Sequence, residues 1–282
     1  MFRKIFRALG LIPAEDLSPP PKHIEAPRLS HAALEKILIE VGQEFENPDR
    51  FSAAAQRVAS QFAFIQVERL TLYFHDPPAT PEALKETLVK YGQLGVWMNV
   101  CQNAIFEVLY QYKEEAIPTL NGIMFGEYDW TQYKAIDVLC KFANEGIRAD
   151  GIISDIGKNL SRFRYETVFA AIDSLSKIEN HKSIPKVLFQ IFEDYSKDDP
   201  IDGLYILQYL AINYPDQARK QLRFVKAIAK DKNRTEEDRI DAAIFAHQLD
   251  AKNQTIKDLL DHWEINAEEQ SLRDIITELK KT

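Results

Sequence analysis

The chain has 282 residues, 45% of them hydrophobic, which is ample material for a substantial core. Its 35 basic and 43 acidic residues leave a net charge of −8, which disfavours a general nucleic-acid binder, because phosphate contacts need a basic field. No stretch approaches the roughly 20 apolar residues that span a bilayer, and the only two cysteines, Cys101 and Cys140, fall inside apolar helical patterns, as buried free thiols in a reducing, cytoplasmic setting would.

Residues 1–9 carry Phe2, Ile5, Phe6 and Leu9 at helical spacing, with Arg3, Lys4 and Arg7 elsewhere on the wheel. Two readings fit this segment: a short membrane-surface helix, or an arm that docks on the chain's own body or frays. Residues 10–29 hold Pro13, Pro19, Pro20, Pro21 and Pro27 among polar residues, and read as an extended linker or spacer. The division is therefore an amphipathic segment with a Pro-rich linker over 1–29, then one α-helical repeat domain over 30–282.

Ser30 is placed to cap a first helix bearing Leu34, Ile37, Leu38 and Val41. Asn47-Pro48-Asp49 breaks that helix, and a long pattern from about Phe51 to Phe74 includes Ala55, Val58, Phe62, Ile65 and Leu72. Asp76-Pro77-Pro78 ends it. Thr80-Pro81-Glu82 starts another helix, with proline expected in the first turn.

A repeat then becomes legible, clearest over 96–264. Leu139, Leu175, Leu210 and Ala246 recur 36, 35 and 36 residues apart, and a second landmark follows each: Ile152, Leu188, Leu222 and Leu259. A unit of that length with two helical patterns cannot bury its own apolar face and must stack on its neighbours. Ala104, Ala135, Ala171 and Ala242 stand four residues before the first landmark of their units, with Ile206 in that place in the Leu210 unit, which predicts close helix crossings. Ile117-Pro118, Ile184-Pro185 and Tyr214-Pro215 open second helices, and Leu272, Ile275, Ile276 and Leu279 mark a C-terminal capping helix. No β-alternation of useful length occurs, so the expected class is all-α.

This organisation resembles the HEAT-repeat superfamily. The likeness rests on Ala135-Ile136-Asp137-Val138-Leu139 and Ala171-Ile172-Asp173-Ser174-Leu175 in first helices. In second helices it rests on Ala116-Ile117-Pro118-Thr119-Leu120 and Ser183-Ile184-Pro185-Lys186-Val187-Leu188. Several units lack the intra-repeat Asp–Arg pattern, which leaves room for armadillo-like pairs. The resemblance implies a right-handed α-α superhelix of stacked antiparallel helix pairs. It also implies a binding scaffold whose second helices line a concave surface, with toxin-neutralising immunity proteins and DNA glycosylases among the superfamily's bacterial members.

Candidate chemistry is sparse. The six histidines His23, His31, His75, His181, His247 and His262 show no metal-ligand spacing, and Asp198-Asp199-Pro200 reads as a helix cap rather than a calcium loop. No catalytic motif, metal site or cofactor is therefore expected. Arg219, Arg223, Lys226 and Lys230 recur at offsets of 4, 3 and 4 on one face of an expected second helix, with Lys186 and Lys257 on neighbouring units. That stripe is either a solvated face or the binding site of an acidic segment. Tyr128 and Trp130 form the candidate aromatic anchor.

The leading functional reading is a non-enzymatic protein-binding scaffold or adaptor, possible in immunity-type form, with another protein as partner. A nucleic-acid-binding or processing enzyme, with Arg148, Arg162 and Arg164 tracking phosphates, is the alternative. A membrane-peripheral adaptor held by Phe2, Ile5, Phe6 and Leu9 is the third.

Overall fold

The computed structural model describes residues 27–91, 95–126, 130–267 and 269–280. Among these residues it is all-α, with sixteen α-helices, three short 3-10 segments and no strand. Phe2, Ile5, Phe6, Leu9, most of the Pro-rich stretch and Tyr128 lie outside the described residues.

The N-terminal helices follow local capping chemistry. Helix α1 (His31–Gly42) begins where Ser30 Oγ accepts from the Ala33 backbone N–H at 3.3 Å. Helix α2 (Pro48–Gln61) begins where Asn47 Oδ1 accepts from the Arg50 N–H at 3.1 Å, satisfying one of the four orphan donors of a helix start. The single pattern expected from Phe51 to Phe74 is corrected: it is α2, a short α3 (Phe64–Val67) and a 3-10 segment over Glu68–Tyr73. Phe62 adopts extended angles and its carbonyl accepts from Tyr112 Oη at 2.7 Å, while the Phe64 and Tyr112 rings pack at 5.3 Å. These tertiary anchors outweigh helical continuity, and Ile65 and Leu72 end up 47% and 59% exposed. Helix α4 (Glu82–Val89) follows Pro81, which stands just before the first helical residue rather than inside the first turn.

Helix pairs then recur. The first helices are α5 (Val96–Gln111), α7 (Trp130–Asn144), α9 (Tyr165–Ser176), α11 (Pro200–Asn213) and α14 (Glu236–Leu249). Each packs on the next in that order. The second helices are α6 (Ile117–Met124), α8 (Ala149–Asn159), α10 (Ile184–Asp198) and α15 (Gln254–Asn266); in the Leu210 unit the second helix is divided into α12 (Pro215–Arg219) and α13 (Leu222–Lys230). Helix α8 packs on α7, α10 on both α9 and α11, and α13 on both α11 and α14. Helix α16 (Gln270–Leu279) closes the C-terminal end against α14 and α15.

The landmarks sit where stacking needs them. Leu139, Leu175, Leu210 and Ala246 are fully buried, as are Ala104, Ala135, Ala171, Ile206 and Ala242. Burial of each leucine contributes about 1.5–3 kcal/mol, and the alanines let first helices approach closely. Of the second landmarks, Ile152 and Leu188 are buried, but Leu222 and Leu259 are only half-buried and their neighbours Val225 and Leu260 fill the core instead. In the closing helix Ile276 is buried and Ile275 is 52% exposed. One apolar cluster runs from Leu34 to Ile276, with a small satellite of Leu88, Trp97, Val100 and Cys101.

Polar ties recur between successive first helices. The Glu179 backbone N–H donates to Asn144 Oδ1 at 2.9 Å, and Asn213 Nδ2 donates to the Ser176 carbonyl at 2.6 Å. Lys113 Nζ meets Glu145 Oε2 at 2.8 Å, where Tyr110 Oη also donates to Glu145. Each tie joins residues about one repeat apart, so the sequence period is also the period of hydrogen bonding across units.

Candidate partner-binding grooves

Helix α10 has a groove on either side. Toward α8 lies a groove of about 550 Å³ with an apolar floor of Ile153, Leu160, Val187 and Ile191. Gly157 sets its depth: a Cβ there would lie 2.9 Å from Val187 Cγ1, so only glycine lets the two helices come this close. Toward α12 lies a groove of about 600 Å³ bordered by Lys182, Lys186, Phe189, Tyr214, Gln217 and Lys220. Lys186 stands on the ridge and lines both.

The second groove is built by the turn that precedes α10. Asn180 takes a left-handed backbone angle, φ 54°, which asparagine tolerates better than most residues. Tyr214 Oη donates to the Ile178 carbonyl at 2.8 Å and accepts from the His181 N–H at 3.2 Å, fixing the turn to the start of α12. Burial pushes the Tyr214 phenol above its usual range, so it stays a neutral donor. His181 Nε2 lies 3.6 Å from Asp150 Oδ1, and its Nδ1 accepts from the Ser183 N–H at 3.3 Å.

The charged side chains that line the groove are basic, while Glu179 and Asp150 stand just outside it, beside Tyr214 and His181. Lys182, Lys186 and Lys220 are exposed, no carboxylate lines the groove, and none of the three makes an ion pair with a described residue. Elsewhere many cations are engaged, as in Lys177–Asp173 at 2.6 Å and Arg234–Asp199 at 2.9 Å. Three unpaired ammonium groups around one concavity give a positive field that other anions can relieve.

The stripe read from the sequence is divided by the structure. The expected continuous helix breaks at Lys220–Gln221, so Arg219 closes α12 while Arg223, Lys226 and Lys230 lie on α13. Arg219 Nε donates to the Leu249 carbonyl at 2.8 Å, and its Nη1 lies 3.2 Å from Asp216 Oδ1. Its guanidinium thus ties the end of α14 and does not line the lysine groove. Arg223, Lys226 and Lys230 remain on one face, opposite buried Val225, Ile228 and Ala229, and make no ion pair among the described residues. Lys257 lines a separate hollow with His247 and Lys280.

The other sequence candidates separate similarly. Trp130 is half-buried with its ring 6.0 Å from that of Tyr133. Trp97 is buried with Nε1 donating to the Pro78 carbonyl at 2.8 Å, and Trp263 is buried beneath the Arg239 guanidinium at 5.2 Å. Arg162 stacks over Phe125 at 5.1 Å, and Arg148 lies 3.9 Å from Glu114, so neither borders the groove. His247 is half-buried, and its Nδ1 is enclosed without a hydrogen-bond partner. Among the described residues no group of three or more His, Cys, Asp or Glu side chains is arranged to hold a metal, and no helix is long and apolar enough to cross a membrane.

Lys182, Phe189 and Lys220 were not among the candidates singled out in the sequence. The repeat points to one of them, since Lys220 follows α12 about one unit after Lys186 in α10. No protein family, no curated protein and no solved structure matches the chain.

Proposed function

We propose that this chain is a non-enzymatic protein-binding scaffold in which helix pairs stack as a right-handed HEAT- or armadillo-like superhelix. In this reading the groove between α10 and α12 receives an acidic segment of a partner protein, in the manner of an adaptor or immunity-type protein. The observation that carries it is the set of three unpaired lysines, Lys182, Lys186 and Lys220, around a groove without a lining carboxylate. Phe189 and Tyr214 supply apolar surface between them, and Arg223, Lys226 and Lys230 add positive charge on α13. Exposed cations of this kind steer encounter and set register, while the packed aromatic surface slows release. The buried thiols Cys101 and Cys140 suit a reducing, cytoplasmic setting.

The test is capture by the tagged full chain from its own cell lysate, at low and high salt, beside the variant Lys182→Glu/Lys186→Glu/Lys220→Glu. All three side chains are exposed, so the variant keeps its core. The expected result is one stoichiometric protein that the wild type holds through high salt and the variant loses. Identical capture by both would overturn the groove. Nucleic acid released steeply by salt would instead support the processing-enzyme reading, because phosphate contacts are salt-labile.

A further inference from the structure

A separate groove of about 450 Å³ lies between the first helices α11 and α14. Ala211, Ile212 and Ile244 give it apolar walls, and the buried Phe245 lies at its base. Tyr205, Gln208 and Ile212 stand at i, i+3 and i+7 on one face of α11, and Glu237, Asp241, Ile244 and Gln248 share one face of α14. From Asp241 to Gln248 the wall runs for two helical turns, about 10 Å. Ile212 is 59% exposed at the groove and Tyr205 is 41% exposed one face-repeat before it, so the chain leaves this apolar strip in water.

One end of the strip is acidic. Burial and the charges of Asp241, Asp238, Glu237 and Asp202 hold the Tyr205 phenol above its usual range, which places four carboxylates around one exposed ring. Asp202 is engaged, accepting from Tyr165 Oη at 2.6 Å. The carboxylates of Glu237, Asp238 and Asp241 have no hydrogen-bond or ion-pair partner among the described residues. The two arginines around this turn are directed elsewhere, Arg234 to Asp199 at 2.9 Å and Arg239 over the Trp263 ring at 5.2 Å.

The macrodipole of α14 accounts for Glu237 and Asp238, which stand in its first turn. It does not account for Asp241, which lies a turn further on, half-buried and lining the groove. Burial, Glu237 and Asp238 hold the Asp241 carboxyl above the usual carboxylate range. Its ionised form therefore costs free energy that a cation entering the groove would recover. Beyond the other end of the groove, Asp216 is already paired with Arg219 at 3.2 Å.

These two features specify the occupant: an apolar strip for a helix laid along the groove, and basic groups at one end of it. The other grooves do not offer this. The lysines of the α10–α12 groove have the opposite sign, and the acids of the α8–α10 groove are engaged, Asp150 with His181 at 3.6 Å and Asp194 with Lys197 at 3.6 Å.

We infer that the α11–α14 groove docks a basic amphipathic helix of a partner protein, with apolar side chains against Ile212 and Ile244 and lysines or arginines at Glu237, Asp238 and Asp241. The test is fluorescence anisotropy of a labelled peptide, with leucines on one helical face and lysines on the other, titrated with the full chain. Saturable one-to-one binding is expected, weakened about tenfold by Glu237→Gln/Asp238→Asn/Asp241→Asn. Ile212→Asp adds a negative charge but removes apolar contact, and is expected to weaken binding about fivefold. Glu86→Gln/Glu115→Gln/Glu193→Gln changes net charge by the same amount at exposed acids outside the groove, and is expected to leave affinity unchanged. Absence of saturable binding, equal weakening by the second triple variant, or tighter binding by Ile212→Asp would each overturn the inference. So would dimerisation of the free chain that Ile212→Asp abolishes, which would place a second copy in the groove. The Lys182→Glu/Lys186→Glu/Lys220→Glu variant is expected to bind the peptide as the wild type does, so this inference and the acidic partner of the α10–α12 groove stand or fall separately.

Discussion

Arg234 donates from Nη1 to Asp199 Oδ1 at 2.9 Å, and that same oxygen accepts the Ile201 backbone N–H at 3.0 Å. One carboxylate thus caps α11 and holds the segment that leads into α14, about one repeat away. Asp199→Ala removes both interactions and is expected to cost about 1–2 kcal/mol. Asp199→Asn keeps an acceptor for the cap and is expected to lose about half as much. Urea unfolding midpoints measure both, and equal losses in the two variants would mean that the cap contributes nothing.

Two glycines predict opposite outcomes for the same substitution. A Cβ at Gly203 would lie 2.6 Å from Ser196 Cβ and 3.1 Å from Phe224 Cζ, so Gly203→Ala must push α11 away from α10. An expected loss of about 1–3 kcal/mol follows from overpacking. Gly151, in the first turn of α8, has nothing within 4 Å of its Cβ position. Gly151→Ala is therefore expected to stabilise by up to about 1 kcal/mol through helix propensity. Thermal unfolding of both variants decides the matter, and a neutral Gly203→Ala would contradict the close packing of α10 and α11.

Arg219 has a structural role in this fold. Its bond to the Leu249 carbonyl satisfies an acceptor in the last turn of α14 that has no intrahelical donor, and its charge complements that helix end. Arg219→Ala is expected to lower stability by about 1 kcal/mol and to leave partner capture intact. The reverse pattern, unchanged unfolding with lost capture, would return Arg219 to the binding surface.

The two thiols report on core integrity. Burial pushes the Cys101 thiol up to about 12 from 9.0, and Cys140 is raised further by burial together with Asp137 and Asp173. A folded-state value above the unfolded one means that the folded chain holds these protons more tightly. The associated stability is fully present below about pH 9 and declines as pH rises from there toward 12. At pH 8 the native chain is expected to react slowly with a chromogenic disulfide reagent, and both thiols rapidly once it is unfolded in guanidinium. A fast native phase at pH 8 would show that one cysteine reaches solvent.

Much of the architecture is legible in the sequence because it is local. Ser30, Asn47, Asp199 and Thr235 cap the helices they precede, since capping needs only a side-chain acceptor within three residues. The spacing of Leu139, Leu175 and Leu210 shows which face of each first helix is buried, since a helical period fixes side-chain direction. The break at Phe62 is not legible in this way: the Tyr112 hydroxyl that holds it comes from 50 residues away.

The candidate site divides along the same line. Amphipathicity and charge pattern on Arg223, Lys226 and Lys230 follow from the sequence alone, as do the all-α class and the repeat period. Which cations surround a concavity does not. Arg219 and Lys220 are adjacent in the chain, yet one turns to the end of α14 and the other borders the α10–α12 groove with Lys182 and Lys186. A helix ending between them rotates their directions apart, and that ending is set by packing of α12 on α11 and of α13 on α14. Sequence periodicity determined the faces; long-range packing decided where the helices stop, and so which charges meet.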